Sequence, residues 1–217
     1  MVRLTAGTWR GRKLEIPPDI RPTTEVARKA AFDILGEAVV GARVLDACAG
    51  SGAYGLEALS RGAAHATFVE ADRKVARVLR GNVERLGAGE MSRIEETSVA
   101  RFSSNEKGQL PHLSRARADA GGGAPSPHSP SKKFAGHGPS RGDTAFDVIF
   151  HDPPFKEISS ESDLSLLLSL VRPGGWLFHE RGDNVVLRPS GLEPSDRRRY
   201  GTTRFLIFRP SGDRRPC

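Results

Sequence analysis

The stretch Val44–Gly55, Val-Leu-Asp-Ala-Cys-Ala-Gly-Ser-Gly-Ala-Tyr-Gly, is the strongest indicator of the fold of this chain. An apolar run enters a glycine-rich turn, and Leu56–Arg61 continues with a helical pattern. Gly50, Gly52 and Gly55 have the spacing G-x-G-x-x-G, which permits a tight turn and a close approach of the backbone to a ligand. The stretch therefore predicts the first strand–turn–helix unit of a nucleotide-binding α/β fold.

A second strand, Ala66–Val69, ends at Glu70, twenty residues beyond Gly50. An acid at this distance is typical of a side chain that binds a ribose diol, so the spacing alone matches the NAD fingerprint. Asp46 precedes the glycines, where it can reach the polar end of a ligand that is not a pyrophosphate. A glycine turn that serves only helix–strand packing is the structural alternative.

A second motif, Asp152-Pro153-Pro154-Phe155, follows the apolar run Phe146–His151, which predicts a buried strand. Ligands of open α/β sheets bind at the carboxyl ends of strands. The Asp152 carboxylate and the Pro153 carbonyl can accept both hydrogens of an exocyclic base amine, and the Phe155 ring can stack on the base. An ordinary Pro-rich turn is the alternative for this motif alone. The motif has no role in hydride transfer, so the two motifs together favour S-adenosylmethionine (SAM) over NAD.

Strands and helices alternate from Arg43 onward, which predicts a parallel sheet flanked by helices. Residues 1–22 are predicted to form a short β extension around Gly7 and Gly11. Thr23 or Thr24 is predicted to cap a helix that ends at Leu35, with Val26 among its apolar positions. The remaining predicted helices span 72–86 and 164–171, the remaining strands span 93–95 and 176–179, and an antiparallel pair, 185–187 and 203–208, closes the sheet.

The stretch from Ser103 to Ala145 is rich in Gly, Pro and Ser and is predicted to be a low-complexity insertion. It holds three of the six histidines, but no cysteine or acid spacing supports a metal site, and none is expected. The predicted organisation is thus an N-terminal extension, residues 1–22, followed by one domain, residues 23–217, that carries the insertion at about 103–145.

Composition favours a polyanionic partner. The formal net charge is +7 and the isoelectric point is about 9.9, so nucleic acid is the first expectation. Two cysteines argue against a disulfide framework, and no apolar run approaches a membrane span or a signal core. A cytoplasmic location follows as the default. The basic residues cluster at Arg10/Arg12/Lys13, Arg21/Arg28/Lys29 and Arg197–Arg199.

Several stretches together are similar to the bacterial 16S rRNA (guanine-N2)-methyltransferase family of the D type. They are Arg3–Leu14, Ile20–Thr24, Ala49–Gly62 and Asp152–Phe155, and the resemblance covers most of the chain apart from about 103–145. The N-terminal stretches narrow the choice, because the other two motifs fit many amino-methyltransferases. The resemblance implies a Rossmann-like class I SAM-dependent methyltransferase with a mostly parallel seven-stranded sheet.

The resemblance also implies roles for residues. Asp46, Ala49, Gly50, Ser51 and Gly52 would line the SAM site, and Glu70 would receive the ribose hydroxyls. Ser98 aligns with the acidic or amide residue that holds the adenine amine, which is a departure from the family pattern. The catalytic set would be Asp152, Pro153 and Phe155. The substrate-binding set would be Arg10, Arg12, Lys13, Arg21, Thr23 and Pro154, although a helix cap is an equal alternative for Thr23.

The function implied is methylation of the N2 amine of a guanine in small-subunit rRNA or in an assembling small ribosomal subunit, by a monomer without metal or membrane. Two alternatives remain. One is a DNA, protein-nitrogen or other RNA methyltransferase with the same Asp-Pro-Pro-Phe chemistry. The other is an inactive RNA-binding module on this scaffold.

Overall fold

A computed structural model describes residues 2–18, 24–109, 145–154, 161–182 and 192–210. The N-terminal segment forms a small antiparallel sheet of β1 (Val2–Arg3) and β2 (Lys13–Leu14). Gly7 and Gly11, at φ of 78° and 81°, form the turns between these strands. The predicted β extension is therefore confirmed within residues 2–18.

The main sheet has seven strands, as the resemblance implied. After the N-terminal sheet, the helices and strands follow one another as α1 (Glu25–Leu35), β3 (Arg43–Ala47), α2 (Ala53–Ser60), β4 (His65–Val69), α3 (Arg73–Leu86), β5 (Ser92–Glu95), α4 (Val99–Gln109), β6 (Phe146–His151), α5 (Glu161–Leu170), β7 (Val171–Gly182), β8 (Asp196–Tyr200) and β9 (Thr203–Phe208). The strand order is β5-β4-β3-β6-β7-β9-β8, with five parallel strands and β9 antiparallel to both neighbours. The order reverses at β3, which places β6 beside it.

Helices cover both faces of this sheet. The face that carries Val44, Val148 and Phe178 packs against α1, α2 and α3. The face that carries Ile149 and Leu177 packs against α4 and α5. Adjacent residues of one strand thus serve opposite cores, as the pleat requires, and the carboxyl ends of β3, β4 and β6 meet at one edge. In the described part of the chain no helix is long and apolar enough to cross a membrane.

Three sequence predictions need correction. The insertion does not begin at Ser103, because helix α4 continues to Gln109 with Ser103 and Glu106 buried. Val26 is 65% exposed, so it does not lie on the face of α1 that packs against the core. The strand that pairs with β9 at the sheet edge is β8, whereas the predicted partner, 185–187, lies outside the described residues.

Candidate active site at the carboxyl edge of the sheet

The glycine turn after β3 has the backbone that its sequence predicts. Gly50 and Gly52 have φ of 56° and 82°, in the left-handed region, and Cys48 has φ of 65°. Cys48 is the single non-glycine residue with positive φ in the described ranges. The Gly52 N–H donates to the Ala49 carbonyl at 2.7 Å, and the Ala49 N–H donates to the Val69 carbonyl at 2.9 Å. These bonds fold the chain back on itself so that α2 starts directly over the end of β3.

Gly55 is required by packing. A Cβ at this position would lie 2.3 Å from the Phe68 ring, so only glycine lets α2 approach β4 this closely. The third glycine of the motif therefore serves helix–sheet contact, and the first two shape the turn.

Asp46 lies at the end of β3, with its side chain buried beneath the start of α2. Its Oδ2 accepts the Gly55 N–H at 2.8 Å. Burial raises the pKa of Asp46 well above its ordinary value, and hydrogen bonds from the Gly55 and Tyr54 N–H groups oppose this. The carboxylates of Asp152 and Glu70 raise the pKa further. Two further acids thus act on the buried Asp46 at this edge.

Glu70 follows β4 and reaches the glycine turn. Its Oε2 accepts the Gly50 N–H at 2.9 Å, and its Oε1 accepts the Asp72 N–H at 2.9 Å. Asp72 in turn caps α3 by accepting from the Lys74 and Val75 N–H groups. The spacing of twenty residues therefore does bring this acid to the turn.

The Asp-Pro-Pro segment leaves the sheet between β3 and β7. Asp152 and Pro153 are half-buried and Pro154 is exposed, while Phe155 lies outside the described residues. β6 pairs with β3 up to His151, opposite Ala47, so Asp152 emerges beside the glycine turn. The negative charge of Asp152 acts on both Asp46 and Tyr54. Two motifs about a hundred residues apart in sequence are thus neighbours in space.

Tyr54 and Glu180 form a buried pair beside this segment, which the sequence reading missed. The Tyr54 hydroxyl donates to Glu180 Oε2 at 2.6 Å, and its ring stacks on Phe150 at 4.5 Å. The Thr203 hydroxyl donates to Glu180 Oε1 at 3.3 Å. Burial, followed by the charge of Glu180, raises the pKa of Tyr54 well above its ordinary value. A tyrosine among small residues and an acid in an apolar strand were the available signals.

His151 and His179 form a second buried pair, on adjacent strands. Their Nδ1 atoms are 3.2 Å apart. Burial lowers the pKa of His151 well below its ordinary value, and burial together with the charge of Arg181 lowers that of His179 to about 4. Both rings are therefore neutral at pH 7.

The N-terminal sheet docks on α2 through buried charge. Glu57 accepts from the Thr5 N–H at 2.8 Å, from the Thr5 hydroxyl at 2.6 Å and from the Ala6 N–H at 3.1 Å. The guanidinium of Arg28 lies 3.4 Å from Glu57, and both side chains are fully buried. Arg28 also donates to the Arg3 carbonyl. Arg28, which the sequence places in the basic cluster Arg21/Arg28/Lys29, is therefore a structural residue.

Asn82, another residue that the sequence reading missed, joins the extension to the glycine turn. Its Nδ2 donates to the Ser51 and Glu15 carbonyls, each at 2.9 Å, and its Oδ1 accepts the Glu15 N–H at 2.9 Å. The side chain is buried in α3. Asn82 thus links the N-terminal extension by hydrogen bonds to the turn that the sequence predicts to hold the ligand.

Three of the predicted substrate-binding residues lie on the outside of this extension. Arg10, Arg12 and Lys13 are exposed, and Arg12 donates to the Arg85 carbonyl at 3.1 Å. Thr24 is the residue that caps α1, by accepting the Ala27 N–H at 3.2 Å. Arg21 and Thr23 lie outside the described residues.

Ser98, predicted to contact adenine, is exposed after β5 and lies at the start of α4. Its hydroxyl accepts the Arg101 N–H at 3.3 Å, which is the geometry of a helix cap. The Ser98 hydroxyl therefore caps the start of α4 in this structure.

The sheet order, the glycine turn and the acids at its edge define the class: this is the fold of the SAM-dependent methyltransferases. An RNA methyltransferase from Salinibacter ruber, solved with S-adenosyl-L-homocysteine, has this fold with a TM-score of 0.58 at 10% identity, covering 90% of this chain and 97% of that one. A hypothetical protein of Thermus thermophilus has a TM-score of 0.72 at 29% identity, covering 96% and 99%.

Sequence comparison narrows the class to one family. The family model described as Conserved hypothetical protein 95 matches residues 2–112. Ribosomal RNA small subunit methyltransferase D of Escherichia coli K12 is 35% identical over 82% of this chain and 71% of its own length. The protein of the same name from Haemophilus influenzae is 32% identical over 95% and 93%. The chain belongs to the family of ribosomal RNA small subunit methyltransferase D.

Proposed function

We propose that this protein transfers a methyl group from SAM to the exocyclic N2 amine of a guanine in small-subunit (16S) rRNA. The observation that carries the proposal is the meeting of two motifs at one edge of the sheet. The Asp152–Pro154 segment leaves β6 directly beside the glycine turn that follows β3. A base amine held at the first motif would lie next to a donor held at the second.

The charges of this edge suit SAM. The ligand carries a positive sulfonium and a positive ammonium group, and the carboxylates of Glu70 and Asp152 act on that of Asp46 here. A cationic ligand would relieve that repulsion. Asp46, Ala49, Gly50, Ser51 and Gly52 would surround the ligand, with Glu70 on the ribose hydroxyls. SAM supplies an electrophilic methyl group; the protein supplies its placement.

Asp152 and Pro153 would hold the acceptor amine. The lone pair of an exocyclic amine is delocalised into the base, so the amine is a weak nucleophile. A carboxylate and a carbonyl that accept its two hydrogens favour the geometry in which the lone pair points at the methyl group. The amine becomes cationic on transfer, and its proton leaves to Asp152 or to solvent. Phe155 would stack on the base, which must leave its own stack to enter.

The RNA would extend over the N-terminal sheet. We propose that the extension, residues 1–22, binds RNA through Arg10, Arg12, Lys13 and Arg21, with Thr23 and Pro154 closer to the base. The exposed Arg10 and Arg12 lie between β1 and β2, and Asn82 ties Glu15, which follows β2, to the glycine turn. The proposal includes action as a monomer in the cytoplasm. It also includes a contact of Ser98 with the adenine of SAM, which rests on the resemblance alone.

Nucleoside mass spectrometry tests the proposal. Labelled SAM is supplied with small ribosomal subunits, naked small-subunit rRNA and DNA in parallel, and the expected product is N2-methylguanine in one of the RNA samples. A methyl group on adenine N6, on cytosine N4 or only on DNA would contradict the substrate while leaving the amine chemistry intact. Transfer to none of them, with SAM binding absent by calorimetry, would favour an inactive RNA-binding module.

A further inference from the structure

Three neighbouring strands carry a row of arginines at the far side of the sheet. Arg181 of β7 is paired with Arg204 of β9, and Arg204 is paired with Arg199 of β8. Directly paired residues project from the same face of a sheet, so the three side chains stand abreast. Arg197 lies two residues before Arg199 and therefore shares that face. We call these four residues the arginine row.

The arginine row surrounds a surface depression of about 220 Å³. Arg181, Arg197, Arg199 and Arg204 all line it, and Leu206 contributes apolar surface. The side chains are held on strands, with defined register, and not on a loop. Guanidinium groups held around one hollow have the geometry and charge to bind an anion such as a phosphate.

The depression lies at the same edge of the sheet as Asp152. His151 pairs with His179 in the parallel β6–β7 ladder, which puts Arg181 at the level of Pro153. Outward from β6 the order is β7, β9, β8, so Arg181, Arg204 and Arg199 lie one, two and three strands away. At about 4.8 Å per strand, the row runs from roughly 5 to 15 Å to the side of the Asp-Pro-Pro segment.

Two members of the row, Arg197 and Arg204, act electrostatically on a third, Arg181. Partial burial lowers the pKa of Arg181, and the nearby charges of Arg204 and Arg197 lower it further. An ion pair joins Arg197 to Glu193 at 2.9 Å, but the Glu193 side chain is 81% exposed, so water and salt screen its charge. A bound polyanion would offset this mutual repulsion of like charges.

We propose that the arginine row binds the phosphodiester backbone of the substrate RNA beside the nucleotide that enters the Asp-Pro-Pro site. This inference rests on the proposed function, since it assigns the path of the same RNA. Phosphate contacts fix the position of a protein on a nucleic acid without reading its sequence. The row would thus hold the RNA on the side of the site opposite the glycine turn, because β7 and β3 flank β6 on opposite sides.

The test compares two double variants of equal charge. Arg199→Gln/Arg204→Gln removes two members of the row, whereas Arg77→Gln/Arg101→Gln removes two exposed arginines of α3 and α4. Affinity for a single-stranded rRNA fragment is measured without SAM at several salt concentrations. We expect the row variant to bind roughly tenfold more weakly, with a salt slope shallower by about 0.7 for each phosphate that the variant no longer neutralises. The control variant keeps the wild-type values.

A third variant separates charge from folding. Arg199→Lys/Arg204→Lys retains both charges without the guanidinium fork and is expected to keep most of the salt slope. Equal losses of RNA affinity and salt slope in the Lys and Gln variants would contradict an electrostatic origin of binding and overturn the proposal. In methyl transfer, the Gln variant should raise KM for RNA while kcat and SAM affinity stay unchanged.

Failure of this inference is distinguishable from failure of the proposed function. A wild-type enzyme that methylates guanine, together with a Gln variant of unchanged affinity and slope, overturns the arginine row alone. Because binding is read without SAM, the affinity comparison also decides the question if the wild type transfers no methyl group to RNA. A wild type that binds no RNA overturns both.

Discussion

Among individual residues, we expect different side chains of the sheet edge to serve SAM binding and methyl transfer. Asp152 is half-buried and near enough to Asp46 to raise the pKa of Asp46. Asp152 follows β6, however, whereas the glycine turn follows β3. We expect Asp152→Ala to abolish methyl transfer while SAM affinity, measured by calorimetry, stays near the wild-type value. Single-turnover transfer at a near-normal rate in this variant would rule out the proposed mechanism.

Glu70 provides a test of the ligand position. Its carboxylate already accepts two backbone N–H groups, which fixes its orientation at the turn. Glu70→Ala should weaken SAM binding by about 1.5–3 kcal/mol, the value of a hydrogen bond to a charged group. Asp33→Ala, which removes an exposed acid of α1, is the matched control. Titration calorimetry that finds the same affinity in both variants would remove Glu70 from the site.

The histidine pair predicts a pH dependence of stability. Unfolded imidazoles titrate near pH 6.5, whereas the folded-state pKa of His179 is about 4 and that of His151 is well below its ordinary value. Between these limits the unfolded chain binds more protons, so the free energy of unfolding falls as the pH falls from about 6.5 towards 4, by up to about 1.4 kcal/mol per pH unit for each proton.

Comparison with His179→Gln isolates this effect. The raised pKa of Asp46 acts in the opposite direction, but it is present in both proteins. Urea unfolding at about pH 7.5 and about pH 5 should therefore show a smaller loss of stability in the variant than in the wild type. Identical losses would mean that the pair does not carry the pH dependence.

Among the elements, the N-terminal segment is held to α2 by hydrogen bonds to Ser60 and by the buried acid Glu57. Glu57 accepts three hydrogen bonds from Thr5 and Ala6 and lies against the fully buried Arg28. Glu57→Ala should destabilise the protein by about 3–5 kcal/mol, because it leaves the Arg28 charge buried without its carboxylate. Glu84→Ala, at an exposed position of α3, is the control, with an effect within about 0.5 kcal/mol. Denaturant unfolding that gives similar values for both would contradict this account.

Within the molecule as a whole, residues 110–144 are the part whose composition cannot supply a core. The boundaries follow from α4, which ends at Gln109, and β6, which begins at Phe146. Replacement of 110–144 by a Gly-Ser linker of about ten residues should preserve cooperative unfolding and methylation of RNA. A second deletion that starts at Ser103 should lose stability, because it removes the buried Ser103 and Glu106. An inactive or unfolded product of the first deletion would show that the insertion has a role.

Local sequence was enough to predict the parallel sheet, the glycine turn and the position of Asp152 and Glu70 at strand ends. Each of these depends on contiguous residues: an apolar run, the positive φ that glycine permits, or an acid directly after a strand. The error at α4 arose for the same reason, because its Ser-rich composition masked a buried face of Ser103 and Glu106.

The three-dimensional fold was needed to learn which distant residues meet. Tyr54 and Glu180 are 126 residues apart, and Thr5 lies 52 residues from Glu57. The arginine row exists because the β7–β9–β8 register aligns Arg181, Arg204 and Arg199, and a shift of one residue would turn each side chain to the other face. Strand register and helix docking are set by the packing of the entire core, so no local pattern of residues specifies these contacts.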